Sequence, residues 1–167
     1  MFGVEGGITA ATLHLSGGGS ASWTPGFLVG LFYTPKPDAM TWQIEGMLHR
    51  KGAGIGAGTL RVTEVEVPVL VRVNLRPDRR TGVHLLAGPV VGFQLRTTVR
   101  TGVEDETLDL TDNVRRIEIG AVIGAGVDVG RVTVGARLFQ GLAATRLIVD
   151  NRATRTRVIA LLLGFRL

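Results

Sequence analysis

The chain has 167 residues, of which 24 are glycine, 6 are proline and none is cysteine. That length is expected for one domain, and without cysteine neither a disulfide framework nor a thiolate site can form. The formal charge of +5 rests on 19 basic residues, only Lys36 and Lys51 being lysine, against 14 acids. The arginines are scattered rather than gathered in one stripe, and no row of aromatics offers a stacking platform, so a nucleic-acid partner is not expected.

Glycine and β-branched residues dominate, which points to an all-β fold. The longest late apolar run, Val158 to Phe165, is too short for a spanning helix, so any membrane crossing must be made by strands. The start Met1-Phe2-Gly3-Val4 lacks a basic segment followed by an apolar run. The expectation is a mature-length chain whose secretory signal has been removed.

Eight strand-like segments follow in order: 2–15, 24–34, 40–50, 60–75, 82–96, 114–129, 131–140 and 155–167. The third carries Gln43 and Glu45 on its polar face. The fourth has the clearest period of two: Val65, Val67, Val69, Val71 and Val73 alternate with Glu66, Pro68, Leu70, Arg72 and Asn74. The fifth presents Gln94 and Arg96. The sixth presents Arg116, Glu118, Gly120, Gly124, Gly126 and Asp128, and the seventh Thr133, Gly135 and Arg137. Most segments reach the roughly 9–11 residues that a tilted strand needs to cross a bilayer.

Alternation alone does not say which face meets water. Three further patterns do. The linkers 35–39, 76–81 and Gly130 are tight, whereas 16–23, 51–59, 97–113 and 141–154 are longer. In an up-and-down meander the tight turns share one rim and the long loops the other, as in outer-membrane barrels. The aromatics divide likewise. Phe2, Phe32, Tyr33, Trp42 and Phe165 fall near the short-turn rim, and Trp23, Phe27, Phe93 and Phe139 near the other. Two interfacial girdles are expected from that placement, since soluble cores put aromatics centrally. Third, the polar face mixes opposite charges with glycine and has almost no lysine.

An eight-stranded barrel is only wide enough to be filled by its own side chains. Glycines would make room for arginines there, and Glu–Arg pairing would offset desolvation. The expectation is a closed eight-stranded antiparallel up-and-down transmembrane β-barrel over residues 1–167, with Val65 to Val73 toward lipid. Its lumen would hold a structural polar cluster of Glu45, Glu64, Glu66, Arg72, Arg116, Glu118 and Arg137.

Several stretches resemble a known family. Trp42-Gln-Ile-Glu45-Gly-Met-Leu-His-Arg-Lys51-Gly52 resembles the third strand, and the lysine-glycine start of the following loop, in PorT-like outer-membrane β-barrel proteins. Val65-Glu-Val-Pro68-Val-Leu70 is similar to that family's Leu-Glu-Ile-Pro-Leu strand, and Leu86-Ala-Gly-Pro89-Val-Val-Gly92 to its Ala-Gly-Pro strand. Gly124-Ala-Gly126-Val-Asp128 and Gly135-Ala-Arg137-Leu-Phe-Gln-Gly141-Leu142 resemble its sixth and seventh strands. The final Phe165-Arg166-Leu167 departs from the common terminal aromatic. The resemblance implies an eight-stranded barrel in the outer membrane of a Gram-negative bacterium, without catalytic residues. It also implies an accessory role in protein secretion, the association of the family's namesake.

Other motifs have simpler readings. Gly52-Ala-Gly54-Ile-Gly56-Ala57 spells a dinucleotide pattern, but a strand rather than a helix N-terminus follows, so a flexible loop is expected. Glu45, Glu64, Glu66 and Glu118 read as structural ion-pair members rather than an acid–base pair. His14, His49 and His84 lie on three strands without close spacing, and no nucleophile elbow surrounds any serine, so no metal, cofactor or catalytic site is expected. Glu104, Asp105, Glu106, Asp109 and Asp112 form a solvated acidic loop lacking calcium-loop spacing. Arg146, Arg152, Arg155 and Arg157 at the same rim could pair with it or meet lipid phosphates.

The functional expectation is a non-enzymatic structural or interaction protein. Its partners would be outer-membrane lipid, lipopolysaccharide and a protein of a secretion or envelope complex. The alternatives are a small-solute or ion pore past Arg72, Glu118 and Arg137, a lipid-modifying enzyme, for which no loop-rim cluster is spelled, and a soluble lipocalin-like carrier.

Overall fold

Val, Ile, Leu and Thr at every second position favour extended chain with two unlike faces. The computed structural model describes residues 1–15, 19–20, 22–35, 38–55, 58–75, 81–100, 107–109, 117–142, 145–146 and 153–167. Its strands are β1 (Phe2–Leu15), β2 (Gly19–Ser20), β3 (Ser22–Tyr33), β4 (Met40–Ile55), β5 (Gly58–Asn74), β6 (Thr81–Arg100), β7 (Thr107–Asp109), β8 (Ile117–Val129), β9 (Val132–Gly141), β10 (Thr145–Arg146) and β11 (Ala153–Arg166). Eight are long, and each long strand pairs antiparallel with its chain neighbours in a meander. β1 then pairs with β11 from Gly3↔Arg166 to Leu15↔Thr154, which closes the sheet into a barrel.

The parity of each strand sorts its side chains. On β5, Glu64, Glu66, Leu70 and Arg72 are buried, while Val67, Val69 and Val71 are 37%, 45% and 49% exposed. The outer wall is apolar all round: Ile8, Leu31, Ile123, Leu161 and Leu163 each expose more than half their surface. A continuous apolar band of this extent is an aggregation liability in water and the expected surface in lipid. Phe2, Tyr33 and Trp42 form a ring-to-ring row at the turn rim, with centroids 4.7 and 5.7 Å apart. Phe165 is exposed beside them, and Trp23, Phe27 and Phe93 face outward toward the other end. Phe32 and Phe139 depart from the expected girdles. Both are 4% exposed and point inward, because they share parity with Leu28 and Arg137.

One connection and one strand face also differ from the sequence reading. Linker 51–59 is not a long loop: β4 and β5 continue pairing from Lys51↔Val62 to Ile55↔Gly58. Small residues at 52–54 extend as readily as they turn, so the hairpin runs on, and residues 56–57 lie outside the described set. At β6, a register shift opposite Thr63/Glu64 inserts one residue between Gln94 and Arg96. The bulge reverses parity, so Thr97 turns inward and Arg96 outward. At the opposite rim, Gly130 takes φ of 60° in the two-residue turn joining β8 and β9. Glycine adopts that left-handed conformation without a Cβ clash.

Inward glycines supply room for large polar groups. A Cβ on Gly124 would stand 2.9 Å from Arg137 Cγ, and one on Gly126 2.6 Å from the His84 ring. The outward assignment of β5 has a direct check. Val69→Arg should destabilise the protein by about 2–4 kcal/mol in urea unfolding from lipid vesicles, because the guanidinium must be held near mid-bilayer. Unchanged stability would remove Val69 from the lipid face.

Candidate functional site

The functional surface that the fold builds most completely is the lumen, which holds two polar networks. The first lies toward the turn rim. Arg137 on β9 donates to Glu45 Oε2 on β4 at 2.5 Å and to Glu5 Oε2 on β1 at 3.0 Å. Gln43 Nε2 donates to Glu45 Oε1 at 2.6 Å, and its own Oε1 accepts from Arg72 and from Thr34 Oγ1, each at 3.1 Å. Arg72 also ion-pairs with Asp128, as does Arg166. Asp128 accepts from Thr133 Oγ1 at 2.6 Å and stands 3.2 Å from His84 Nδ1. Three arginines thus meet three carboxylates, so the two kinds of group match in number.

The second network lies toward the loop rim. Lys51 on β4 ion-pairs with Glu64, with Glu66 at 2.8 Å and with Glu118 at 3.7 Å. His49 Nδ1 is 3.2 Å from Glu66 Oε1, and its Nε2 is 3.4 Å from Thr9 Oγ1. The His49 ring also stands 5.8 Å from that of Phe139, which closes one side of the group. A Cβ on Gly141 would stand 2.8 Å from Glu118 Oε1, so a larger residue there would push that carboxylate aside.

Apolar side chains separate the two networks. Leu28, Met47, Leu70, Leu86, Val122, Ala160 and Leu162 belong to one buried cluster inside the barrel. Along β4 the inward series runs Gln43, Glu45, Met47, His49, Lys51, polar at both ends with an apolar step between them. On β5 the series Glu64, Glu66, Pro68, Leu70, Arg72 repeats the order from the opposite direction. Pro68 adds a local gap: the β4–β5 ladder pairs Ile44↔Val69 and then Met47↔Glu66, with no bridge at Pro68, which has no N–H to donate.

The predicted polar cluster therefore divides. Glu45, Arg72 and Arg137 enter the turn-side network, and Glu64, Glu66 and Glu118 the loop-side one. Arg116 lies outside the described residues. Sequence reasoning missed Glu5, His49, Lys51, His84 and Arg166 as lumen members and placed Lys51 at the start of a loop. Parity carried the signal: the alternation through Gln43 and Glu45 reaches His49 after two more steps and Lys51 after three.

Residues 52–55 belong to β4, and β5 follows from Gly58, so no helix N-terminus stands there to cradle a phosphate. In the acidic loop, Glu104, Asp105, Glu106 and Asp112 lie outside the described residues, as does the Asp109 side chain. The side chains of Arg146, Arg152 and Arg155 lie outside them too, while Arg157 Nε donates to Gln140 Oε1 at 3.0 Å.

Removing one partner of a buried ion pair leaves the others unpaired at a cost of several kcal/mol. Arg137→Met should accordingly destabilise the barrel by about 3–5 kcal/mol in urea unfolding, because Glu5 and Glu45 lose their shared cation. Adding Glu5→Gln and Glu45→Gln should recover part of that loss. A single variant as stable as the parent would show that the pairing carries no weight.

Comparison with known proteins places this geometry. The family described as outer membrane protein beta-barrel domain matches residues 1–145. No curated protein matches the sequence. Among solved structures, Neisserial surface protein A is 13% identical, with 99% of this chain and 97% of that chain covered at a TM-score of 0.60. The outer membrane enzyme PagL is 12% identical, with 96% and 99% covered at a TM-score of 0.54. At these identities the likeness shows the fold.

Proposed function

The chain belongs to the outer membrane protein beta-barrel domain family and is an integral protein of the bacterial outer membrane, and from that premise we propose that it is a non-conducting, non-enzymatic barrel with a structural or interaction role. One observation carries the reading: among the described residues, the inward positions hold two ion-pair networks with an apolar cluster between them. An apolar layer in so narrow a lumen denies a hydrated ion the polar wall it needs to cross.

The interaction role draws on strand length. β4, β5 and β6 have 16, 17 and 20 residues against 10 in β9. A tilted strand spans the bilayer in about 9–11 residues. The surplus at the loop rim projects beyond the headgroups as a paired sheet, a surface suited to a protein partner or to lipopolysaccharide. An accessory part in secretion rests on the resemblance to PorT-like proteins, and co-purification from native membranes tests it.

Conductance is the decisive measurement for the plugged lumen. The protein reconstituted in planar bilayers should show no sustained single-channel openings under applied voltage. Steady openings whose size changes on neutralising Arg72 or Glu118 would replace this reading with a small-solute or ion pore.

A further inference from the structure

We propose that the loop-side network is a binding site for one first-row divalent cation, with His49, Glu64 and Glu66 as its protein ligands. The inference is independent of the conductance reading. One ligand atom from each of the three residues lies within 4.8 Å of the others. All three are essentially excluded from solvent, at 0%, 0% and 2% exposure. They come from the adjacent strands β4 and β5, where His49 and Glu64 are directly paired residues.

The polar atoms themselves point to a cation. Among the described residues, His49 Nδ1, Glu64 Oε2 and Glu66 Oε2 are buried without a hydrogen-bond partner. Buried polar atoms are nearly always satisfied, so three such atoms in one cluster call for an explanation. If the His49 Nε2–H donates to Thr9 Oγ1, Nδ1 presents a lone pair toward the Glu66 carboxylate 3.2 Å away. Two acceptors facing each other repel unless a positive centre lies between them. An outward N–H bond that leaves the inner nitrogen free is also how metal-binding histidines are oriented.

Charge and space agree. Among the described residues, the three carboxyl groups of Glu64, Glu66 and Glu118 gather around a single ammonium, that of Lys51. One divalent ion offsets that excess of carboxyl groups, whereas the turn-side network matches arginines and carboxylates in number. A cavity of about 20 Å³ adjoins the group, bounded by Lys51, Glu64, Glu66, Glu118 and the glycines at 92, 120 and 141. That is about the room one small ion or water needs. A mixed imidazole and carboxylate set suits zinc, cobalt or manganese better than magnesium or calcium, which take oxygen donors. Lys51 is the competitor. Its ammonium lies against Glu66 and within 3.7 Å of Glu118. A metal entering between His49 and Glu66 would shift it onto Glu118.

The test uses the folded chain in detergent micelles, stripped with a chelator and titrated with Co²⁺, whose visible absorption reports its ligands. One equivalent should bind saturably and be displaced by Zn²⁺. His49→Gln should weaken binding by at least about tenfold and change the spectrum, as loss of a ligand requires. Lys51→Met should tighten it by at least about tenfold, because a cation that competes at short range is gone. The lysine variant separates this site from any acidic surface, which would not respond to it. Absence of saturable binding, or binding unchanged in both affinity and spectrum by Lys51→Met, overturns the proposal.

Discussion

The constraint on which this structure depends is that a strand in lipid must pair both of its edges. Each unpaired backbone N–H or C=O would be several kcal/mol unfavourable where no water reaches it. The ladder between β1 and β11 meets that demand by joining the ends of the chain. Once the sheet is closed the remaining choices narrow. One parity of every strand faces the membrane and the other faces a lumen of fixed width.

That width dictates the interior. Eight strands leave an interior only wide enough for side chains to fill, so inward side chains must interlock, and polar ones must find partners inside. The protein meets this by pairing across the barrel. Arg137 on β9 reaches β1 and β4 together, and Asp128 on β8 draws in side chains from β5, β6, β9 and β11. The bonds of Arg137 to Glu5 and Glu45, and of Asp128 to Arg72 and Arg166, join strands that are not neighbours in the sheet, as the backbone ladder does not. They therefore add cross-barrel rigidity to a wall built from nearest-neighbour contacts. Glycine at 124, 126 and 141 is the complement of this crowding, because each faces an atom of Arg137, His84 or Glu118 at a distance a Cβ would violate.

The two networks differ in character. The turn-side one is matched in arginines and carboxylates and hydrogen-bonded on most of its atoms, as a structural element must be in a low-dielectric interior. Among the described residues, the loop-side one has more carboxyl groups than cations and carries acceptors without a hydrogen-bond partner. A fold that satisfies its polar groups this thoroughly at one end and leaves them wanting at the other has two kinds of interior. Departures of that kind concentrate at functional sites.

Period-two alternation was enough to reveal most strands, their direction in the meander and the lipid-facing valines, because it records which face each residue must show. The predicted 2–15 coincides with β1, and 40–50 and 60–75 with the cores of β4 and β5. Alternation also contained His49 and Lys51, although the glycines that follow them suggested a loop. It did not reveal the bulge opposite Thr63 and Glu64, which turns Arg96 outward, since an inserted residue leaves no periodic trace. Nor did it show that the lumen carboxylates separate into two groups. Parity places a side chain inside the barrel, but its partner stands on a strand tens of residues away, at a height set by the tilt. By itself the sequence determined that this is a closed barrel for a membrane, because lipid imposes one rule on every strand alike. Which charges meet was decided only by the register of closure, a property of all eight strands together.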